Sequence, residues 1–171
     1  MATAAVPISL AEYLHTEYEP DCEYIDGVLE DRNVGKQKHS ATQGMIVGWL
    51  LASRAQHGHR VLPEQRVQVS RFRVRIPDVC LVPLSDRDEI TTQPPVLWIE
   101  VLSPDDRWGR VQAKLKDILA FGVATVWIID PYSNEAWTVT QNNPVTAVED
   151  GILRCSNPNL EMPLTEVLPA E

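Results

Sequence analysis

The chain has 171 residues, of which 44% are hydrophobic and 23% charged, and its mean hydropathy is −0.18. These values predict one soluble domain over residues 1–171, and they exclude a transmembrane protein because no apolar run approaches the ~20 residues of a membrane-spanning helix. The N-terminus lacks the pattern of a secretion signal, so a cytoplasmic location is expected. A net charge of −9 argues against loose, charge-driven binding of nucleic acid.

Cysteine usage excludes two further classes of protein. Cys22, Cys80 and Cys155 are odd in number, far apart and in no CxxC pair, which argues against a disulfide framework or a cysteine zinc site. Cys80 stands in an apolar run and is expected to be a small buried residue.

The first half of the chain predicts a short helix, a hairpin and a longer helix. Ser9 opens a capping box, which predicts a helix over 9–17. Asp26-Gly27 is a two-residue hairpin signal within 22–30, and helical spacing of apolar residues predicts a second helix over 39–57. The stripe expected to be buried on this second helix consists of Ala41, Met45, Trp49 and Ala52, widened by Ile46 and Leu50.

The second half predicts an α/β fold with a mixed central β-sheet. β-Branched residues indicate two antiparallel strands at 60–70 and 72–82, and nearly continuous apolar runs indicate buried strands at 96–103 and 125–130. An amphipathic helix over 105–121 separates the two buried strands, so they are expected to be parallel neighbours. The remaining features expected are a strand at 136–140, a weaker strand at 151–155 and a Pro-rich, surface-like tail.

Two acidic residues lie where acids are costly. Asp78 and Glu100 each stand in the middle of an apolar strand, and an unpaired buried charge costs roughly 3–5 kcal/mol. A divalent cation would remove that cost, and hard oxygen ligands suit Mg²⁺ or Mn²⁺ and hydrolytic chemistry on phosphate. The alternative is a structural salt bridge to an arginine such as Arg66, Arg73 or Arg75.

A positive charge is also needed to stabilise a charged transition state on phosphate. Lys114 is the best-placed candidate, because it lies on the flank of the apolar stripe of the 105–121 helix. The alternative for Lys114 is a solvated lysine whose stem covers the apolar surface.

These residues belong to a pattern that resembles the Uma2 family, a group of restriction-endonuclease-like bacterial proteins in the PD-(D/E)xK nuclease superfamily. The resemblance covers about residues 9–163. The segments that carry it are Glu23-Tyr24-Ile25-Asp26-Gly27, His39, Pro77-Asp78-Val79, Ile99 to Pro104, Lys114-Leu115 and Val126 to Pro131.

The resemblance implies a restriction-endonuclease-like core, a central sheet flanked by helices, that hydrolyses DNA phosphodiester bonds with Mg²⁺ or Mn²⁺. Asp78 and Glu100 would hold the metal, helped by Glu23 and the carbonyl of Val101. The superfamily lysine is expected two residues after the glutamate, where this chain has Leu102, and Lys114 is expected to replace it. A homodimer is the simplest way to cut two strands. The competing hypothesis is a catalytically inactive binding or regulatory module with the same fold.

Other residues allow more than one role. His39 could contact phosphate or support Glu23, or it could instead hydrogen-bond the Asp26-Gly27 turn. Trp108 could stack on a base or fill a dimer interface, whereas the other tryptophans are expected to pack in the core. His57-Gly58-His59 is expected to form a turn rather than a metal site. Two basic patches could line a groove, one with Arg32, Lys36 and Lys38, the other with Arg107, Arg110, Lys114 and Lys116.

Overall fold

The structure is a computed structural model that describes residues 7–32 and 35–169. Its helices are α1 (Leu10–Leu14), α2 (Gln37–Ala52), α3 (Arg54–His57) and α4 (Trp108–Phe121), and a short 3-10 helix spans Leu164–Glu166. Its strands are β1 (Cys22–Ile25), β2 (Val28–Asp31), β3 (His59–Pro63), β4 (Val67–Ser70), β5 (Arg73–Arg75), β6 (Val79–Pro83), β7 (Leu97–Val101), β8 (Thr125–Asp130), β9 (Glu135–Thr140), β10 (Thr146–Ala147), β11 (Ile152–Ser156) and β12 (Asn159–Pro163). None of the helices in these two ranges has the length and apolar character needed to cross a membrane.

A six-stranded sheet forms the centre of the fold, in the order β10-β9-β8-β7-β6-β3. β7 and β8 are parallel, with Trp98 opposite Val126, and the other neighbouring pairs are antiparallel. The predicted mixed sheet and its parallel pair are therefore confirmed. Helix α4 supplies the connection between the two parallel strands, as the strand-helix-strand order requires.

Each face of this sheet has its own apolar core. Leu97 and Ile99 of β7 point to the face covered by α2, whereas Trp98 points to the face covered by α4, because side chains alternate along a strand. Helices thus flank the mixed sheet, as predicted. All three cysteines are buried free thiols, and Cys80 is fully buried as expected.

A second, four-stranded sheet has the order β2-β1-β5-β4. The two strands predicted at 60–70 and 72–82 are each divided between the two sheets. Their outer parts, β3 and β6, pair with each other in the central sheet. Their inner parts, β4 and β5, pair with each other in the smaller sheet. The division has local causes. Glu64 has a φ of +53°, and Pro77 has no N–H to donate to a ladder.

The predicted turn and first cap are present. Asp26 and Gly27 have φ angles of +52° and +93° and join β1 to β2, which is the conformation that a two-residue hairpin requires. Ser9 Oγ accepts a hydrogen bond from the Glu12 N–H at 3.1 Å. Helix α1 is shorter than predicted, because after Leu14 the chain tightens into a bond from the Thr16 N–H to the Tyr13 carbonyl.

The buried stripe predicted for the second helix is confirmed at Ile46 and Leu50 and wrong at its other positions. The residues that α2 buries are His39, Thr42, Ile46 and Leu50, and Met45 is 40% exposed. The helix begins at Gln37 and ends at Ala52, followed by the separate turn of α3. The N-terminal half of the buried face is polar because it lies beside the buried carboxylate of Asp78, so apolar spacing could not identify that half of the face.

The C-terminal tail is not a surface-like segment. Residues of β12 pair with β11, and Leu160, Met162, Leu164 and Val167 are buried against the core on the α2 face. The period of two in this segment, apolar at 160 and 162 with Glu161 between them, is typical of a strand. The prolines of this segment had led to the prediction of a surface-like tail.

Candidate active site

Four separate elements bring the predicted site residues to one cavity of about 80 Å³. Glu23 comes from β1, Asp78 from the segment between β5 and β6, Glu100 from β7 and Lys114 from α4. His39, in the first turn of α2, lines the same cavity. The structure therefore assembles all of the residues that were predicted from widely separated parts of the chain.

Lys114 is a buried ion-pair partner and not a solvated lysine. Its Nζ lies 2.7 Å from Glu100 Oε1 and 3.0 Å from Glu23 Oε1, and its side chain is 16% exposed. It also donates to the Ile76 carbonyl at 2.9 Å. Burial lowers the pKa of Lys114, but the surrounding carboxylates outweigh it and raise the pKa, so the ammonium stays charged.

Glu100 is held in an environment that opposes its ionisation. Burial is the largest cause, and together with the neighbouring charges of Asp78 and Glu23 it outweighs the attraction of Lys114. The net effect raises the pKa of Glu100 to about 7. Glu100 is thus a carboxylate that the protein alone does not fully compensate.

The pKa of Asp78 is lowered rather than raised, because hydrogen-bond donors and cations surround its carboxylate. Its Oδ1 lies 3.1 Å from an Arg32 nitrogen and 3.5 Å from His39 Nε2, and its Oδ2 accepts from the Val101 N–H at 2.6 Å. Burial would raise the pKa of Asp78, but His39, Lys114 and Arg32 outweigh it and lower the pKa. The same carboxylate acts in return on His39, whose pKa is raised despite the opposing effect of burial.

Glu23 is the most fully paired acid of the site. Its Oε2 accepts from Arg75 at 2.7 Å, and its Oε1 accepts from the Ile76 N–H at 2.9 Å in addition to contacting Lys114. Burial opposes ionisation, but Lys114, Arg75 and this N–H together lower the pKa of Glu23 to about 2. Glu23 therefore carries a full charge at neutral pH.

The salt bridge to an arginine that was the alternative to a metal site does form at Asp78, but its arginine is Arg32 and not Arg66, Arg73 or Arg75. Arg66 pairs with Asp21, Arg73 pairs with Asp26 and Asp117, and Arg75 pairs with Glu23, Glu30 and Asp117. Asp78 and Glu100 instead contact Arg32 and Lys114. The cations nearest the two predicted metal ligands thus come from the two basic patches.

The donor set fits a hard divalent cation. Asp78 and Glu100 line one cavity and offer oxygen atoms, which Mg²⁺ and Mn²⁺ prefer. Within residues 7–32 and 35–169, no group of three or more His, Cys, Asp or Glu side chains is arranged to hold an ion. Mg²⁺ is commonly bound by one or two carboxylates and retains several waters, so two carboxylates are enough to hold it.

The other polar residues singled out in the sequence have defined places. His39 faces Asp78, rather than Glu23 or the Asp26-Gly27 turn. His57 is buried at the end of α3 with a ring nitrogen 2.8 Å from the Leu50 carbonyl, which agrees with the predicted turn. Trp108 is 42% exposed, and its ring lies 6.0 Å from that of Trp137.

Several cations of the two basic patches have partners within the protein. Arg32 also pairs with Glu64, and Lys36 pairs with Asp105 at 2.9 Å. Arg110 donates to the Asp31 carbonyl at 2.5 Å. Arg32, Lys36 and Arg110 are therefore already engaged by partners within the protein.

Sequence reasoning missed two residues that shape the site. Asp117 lies one helical turn after Lys114 and receives two hydrogen bonds from Arg75, at 2.7 and 3.0 Å, which fixes the arginine that holds Glu23. Trp98 was expected only to pack, yet its indole Nε1 donates to Glu100 Oε1 at 2.5 Å. Asp117 could have been found from its spacing of three residues from Lys114 on a helix. Trp98 could have been found from its spacing of two residues from Glu100 on a strand.

Comparisons with known proteins agree with this architecture. The crystal structure of a putative nuclease belonging to DUF820 from Anabaena variabilis ATCC 29413 is similar, with a TM-score of 0.83 and 24% identity over 95% of this chain and 98% of that one. No curated protein matches the chain. The Uma2 family, described as "Putative restriction endonuclease", matches residues 10–169. With that match over nearly its whole length, and with the acids and the lysine assembled as described, the chain belongs to the Uma2 family.

Proposed function

We propose that the protein is a Mg²⁺- or Mn²⁺-dependent endonuclease that hydrolyses phosphodiester bonds in DNA. The observation that carries the proposal is the convergence on a single cavity of two carboxylates, the buried Asp78 and the largely buried Glu100, and the largely buried ammonium of Lys114. Membership of a family described as restriction endonucleases supports the choice of reaction and substrate.

Asp78 and Glu100 are the residues that would hold the divalent ion, beside the backbone of Val101. A bound divalent ion supplies Lewis-acid stabilisation of phosphate charge and makes water a stronger nucleophile. The uncompensated charge of Glu100 supports this assignment, because a cation would favour its ionised form.

Lys114 would act on the reacting phosphate itself. Its charged ammonium, fixed between Glu100 and Glu23, polarises the attacking water or stabilises the negative charge that develops on the phosphate. Because a buried, pre-oriented donor needs little reorganisation, it is more effective there than a mobile surface lysine.

Glu23 and His39 have supporting roles in this proposal. Glu23 orients Lys114, since its oxygens already accept from Lys114, Arg75 and the Ile76 N–H. A direct bond from Glu23 to the ion, which the family resemblance implies, stays a prediction. His39 orients Asp78 and lines the same cavity, where it could contact a substrate phosphate.

Plasmid cleavage tests the proposal. Supercoiled DNA is expected to be nicked or linearised with Mg²⁺ or Mn²⁺ and left intact with EDTA. Asp78→Asn and Glu100→Gln are each expected to lower the rate roughly 100-fold or more, because each removes a charge that binds the ion. Glu161→Gln is the matched control, since Glu161 is exposed on β12 and pairs only with Arg154. Equal cleavage by all the variants would identify a contaminating nuclease and refute the assignment.

A second candidate, a non-catalytic binding or regulatory module, is favoured by one observation. Lys114 and Arg32 already pair with Glu100 and Asp78, so the fold can assemble the site from its own cations. This candidate predicts no heat of Mn²⁺ binding in calorimetry and no cleavage of DNA under any condition.

We also propose that the active form is a homodimer, because two sites related by symmetry can address two antiparallel strands. Sedimentation is expected to show a species of twice the 19.2 kDa chain mass. Sedimentation of the single chain alone, at concentrations where DNA is cleaved, would contradict it. A cytoplasmic location likewise stays a prediction.

A further inference from the structure

We infer that Trp98 is a positioning residue of this site: its indole N–H fixes one oxygen of Glu100 and so directs the other toward the divalent ion. The inference rests on the proposed function, since it concerns the residue proposed to hold the ion. It assigns Trp98 a role beyond the core packing that the sequence predicted.

The geometry follows from the alternation of side chains along β7. Trp98 and Glu100 are two positions apart and therefore point to the same face of the central sheet. Trp98 Nε1 lies 2.5 Å from Glu100 Oε1. The ring is fully buried among residues of α4 and β8, which holds the donor in one orientation.

Lys114 reaches the same oxygen from the other side. Its Nζ is 2.7 Å from Glu100 Oε1 and 6.0 Å from the centre of the Trp98 ring. In the described part of the chain, no hydrogen-bond donor contacts the second oxygen, Oε2. Two donors on Oε1 restrict rotation of the carboxylate, and Oε2 is left as the oxygen that can bind a cation.

Loss of this hydrogen bond should weaken metal binding. Partners of metal-ligating carboxylates typically account for 10–100-fold in affinity, because they hold the ligand oxygen in place before the ion arrives. Trp98→Phe retains an aromatic ring and removes the N–H. We expect it to weaken Mn²⁺ binding roughly 10-fold or more.

Trp127 provides the matched control. It is also fully buried, lies on the neighbouring strand β8, and donates its indole N–H to the Arg154 carbonyl at 3.0 Å, on the opposite face of the sheet. Trp127→Phe therefore removes the same group from an equally buried ring without touching Glu100. Both variants should lose stability, but only Trp98→Phe should lose Mn²⁺ affinity.

The experiment is a calorimetric titration of Mn²⁺ into the wild-type protein and the two variants, with circular dichroism to verify folding. Weakened binding by Trp98→Phe with unchanged binding by Trp127→Phe would support the inference. Wild-type affinity in Trp98→Phe, or an equal loss in both variants, would overturn the inference and leave the proposed function standing. Absence of Mn²⁺ binding in the wild type would overturn the proposed function, and the inference with it.

A second substitution covers the case in which Trp98→Phe fails to fold. β-(3-Benzothienyl)alanine at position 98 has the shape of tryptophan with sulfur in place of the N–H, so it preserves the packing and removes only the donor. The same titration then applies, with the same analogue at position 127 as the control and the same two outcomes.

Discussion

Replacing Glu100 with Gln is expected to stabilise the metal-free protein at alkaline pH, although Glu100 is a proposed metal ligand. The folded protein raises the pKa of Glu100 from 4.5 to about 7, so above pH 7 the ionised side chain opposes folding. A difference of this size corresponds to about 3 kcal/mol, because one pKa unit is worth about 1.4 kcal/mol. Gln mimics the protonated acid and removes that cost. The predicted gain is thus at most about 3 kcal/mol.

The pH dependence gives the prediction its sign. Below about pH 4.5 Glu100 is protonated in both the folded and unfolded states, so the substitution should have no electrostatic effect there. The gain should grow between pH 4.5 and 7 and stay constant above pH 7. With saturating Mn²⁺ the wild-type protein alone should gain stability, since only it retains both carboxylates that would hold the ion.

Thermal unfolding in EDTA at pH 8 and pH 4 measures the effect. A gain of about 3 kcal/mol corresponds to a rise in Tm of about 6–12 °C for a chain of this size. Glu161→Gln, an exposed acid, should change Tm little at either pH. A Glu100→Gln variant no more stable than the wild type at pH 8, or equally stabilised at both pH values, would refute the reasoning.

Three further predictions concern stability and reactivity. Arg75→Leu should cost about 3–5 kcal/mol in urea denaturation, since it removes the buried guanidinium that pairs with both Glu23 and Asp117. Arg154→Leu on the surface should cost under about 1 kcal/mol, and equal costs would contradict the buried pairing. Met162→Ala should cost about 2–5 kcal/mol by the same assay because Met162 is fully buried, and a cost near zero would mean that the tail does not pack as described. Burial raises the pKa of the Cys80 thiol to about 12, so a thiol reagent at pH 8 should label it only after unfolding, and rapid labelling of the native protein would contradict its burial.

The sequence could identify those site residues that are charged but stand within apolar stretches. Asp78 and Glu100 were recognised because each interrupts an apolar run of the sequence, although the structure places Asp78 just before β6 and not within a strand. The cost of burying a charge makes such positions informative without any structure. Lys114 was suggested by its place on the helix and by family resemblance. Its burial between two acids came only from the fold.

The ion pairs between residues far apart in the chain could not be predicted from the sequence. Arg32 meets Asp78 across 46 positions and Arg75 meets Glu23 across 52, and any acid could have been the partner of any arginine. The same limit explains the fold. Local periodicity predicted the mixed sheet and the Asp26-Gly27 hairpin, but it failed for the N-terminal half of α2, because a buried polar site gives a helix a polar inner face.

Lys114 joins two parts of the fold that belong to different sheets, since Glu23 lies on β1 of the four-stranded sheet and Glu100 on β7 of the six-stranded sheet. A substrate that draws the Lys114 ammonium toward its phosphate would weaken the ion pairs of Lys114 with Glu23 and Glu100. Opening of the smaller sheet would then be linked to occupancy of the cavity, and amide hydrogen exchange in β1 and β2 would report events in the site. If the proposed activity holds, Lys114 would then contribute both to catalysis and to the stability of the smaller sheet.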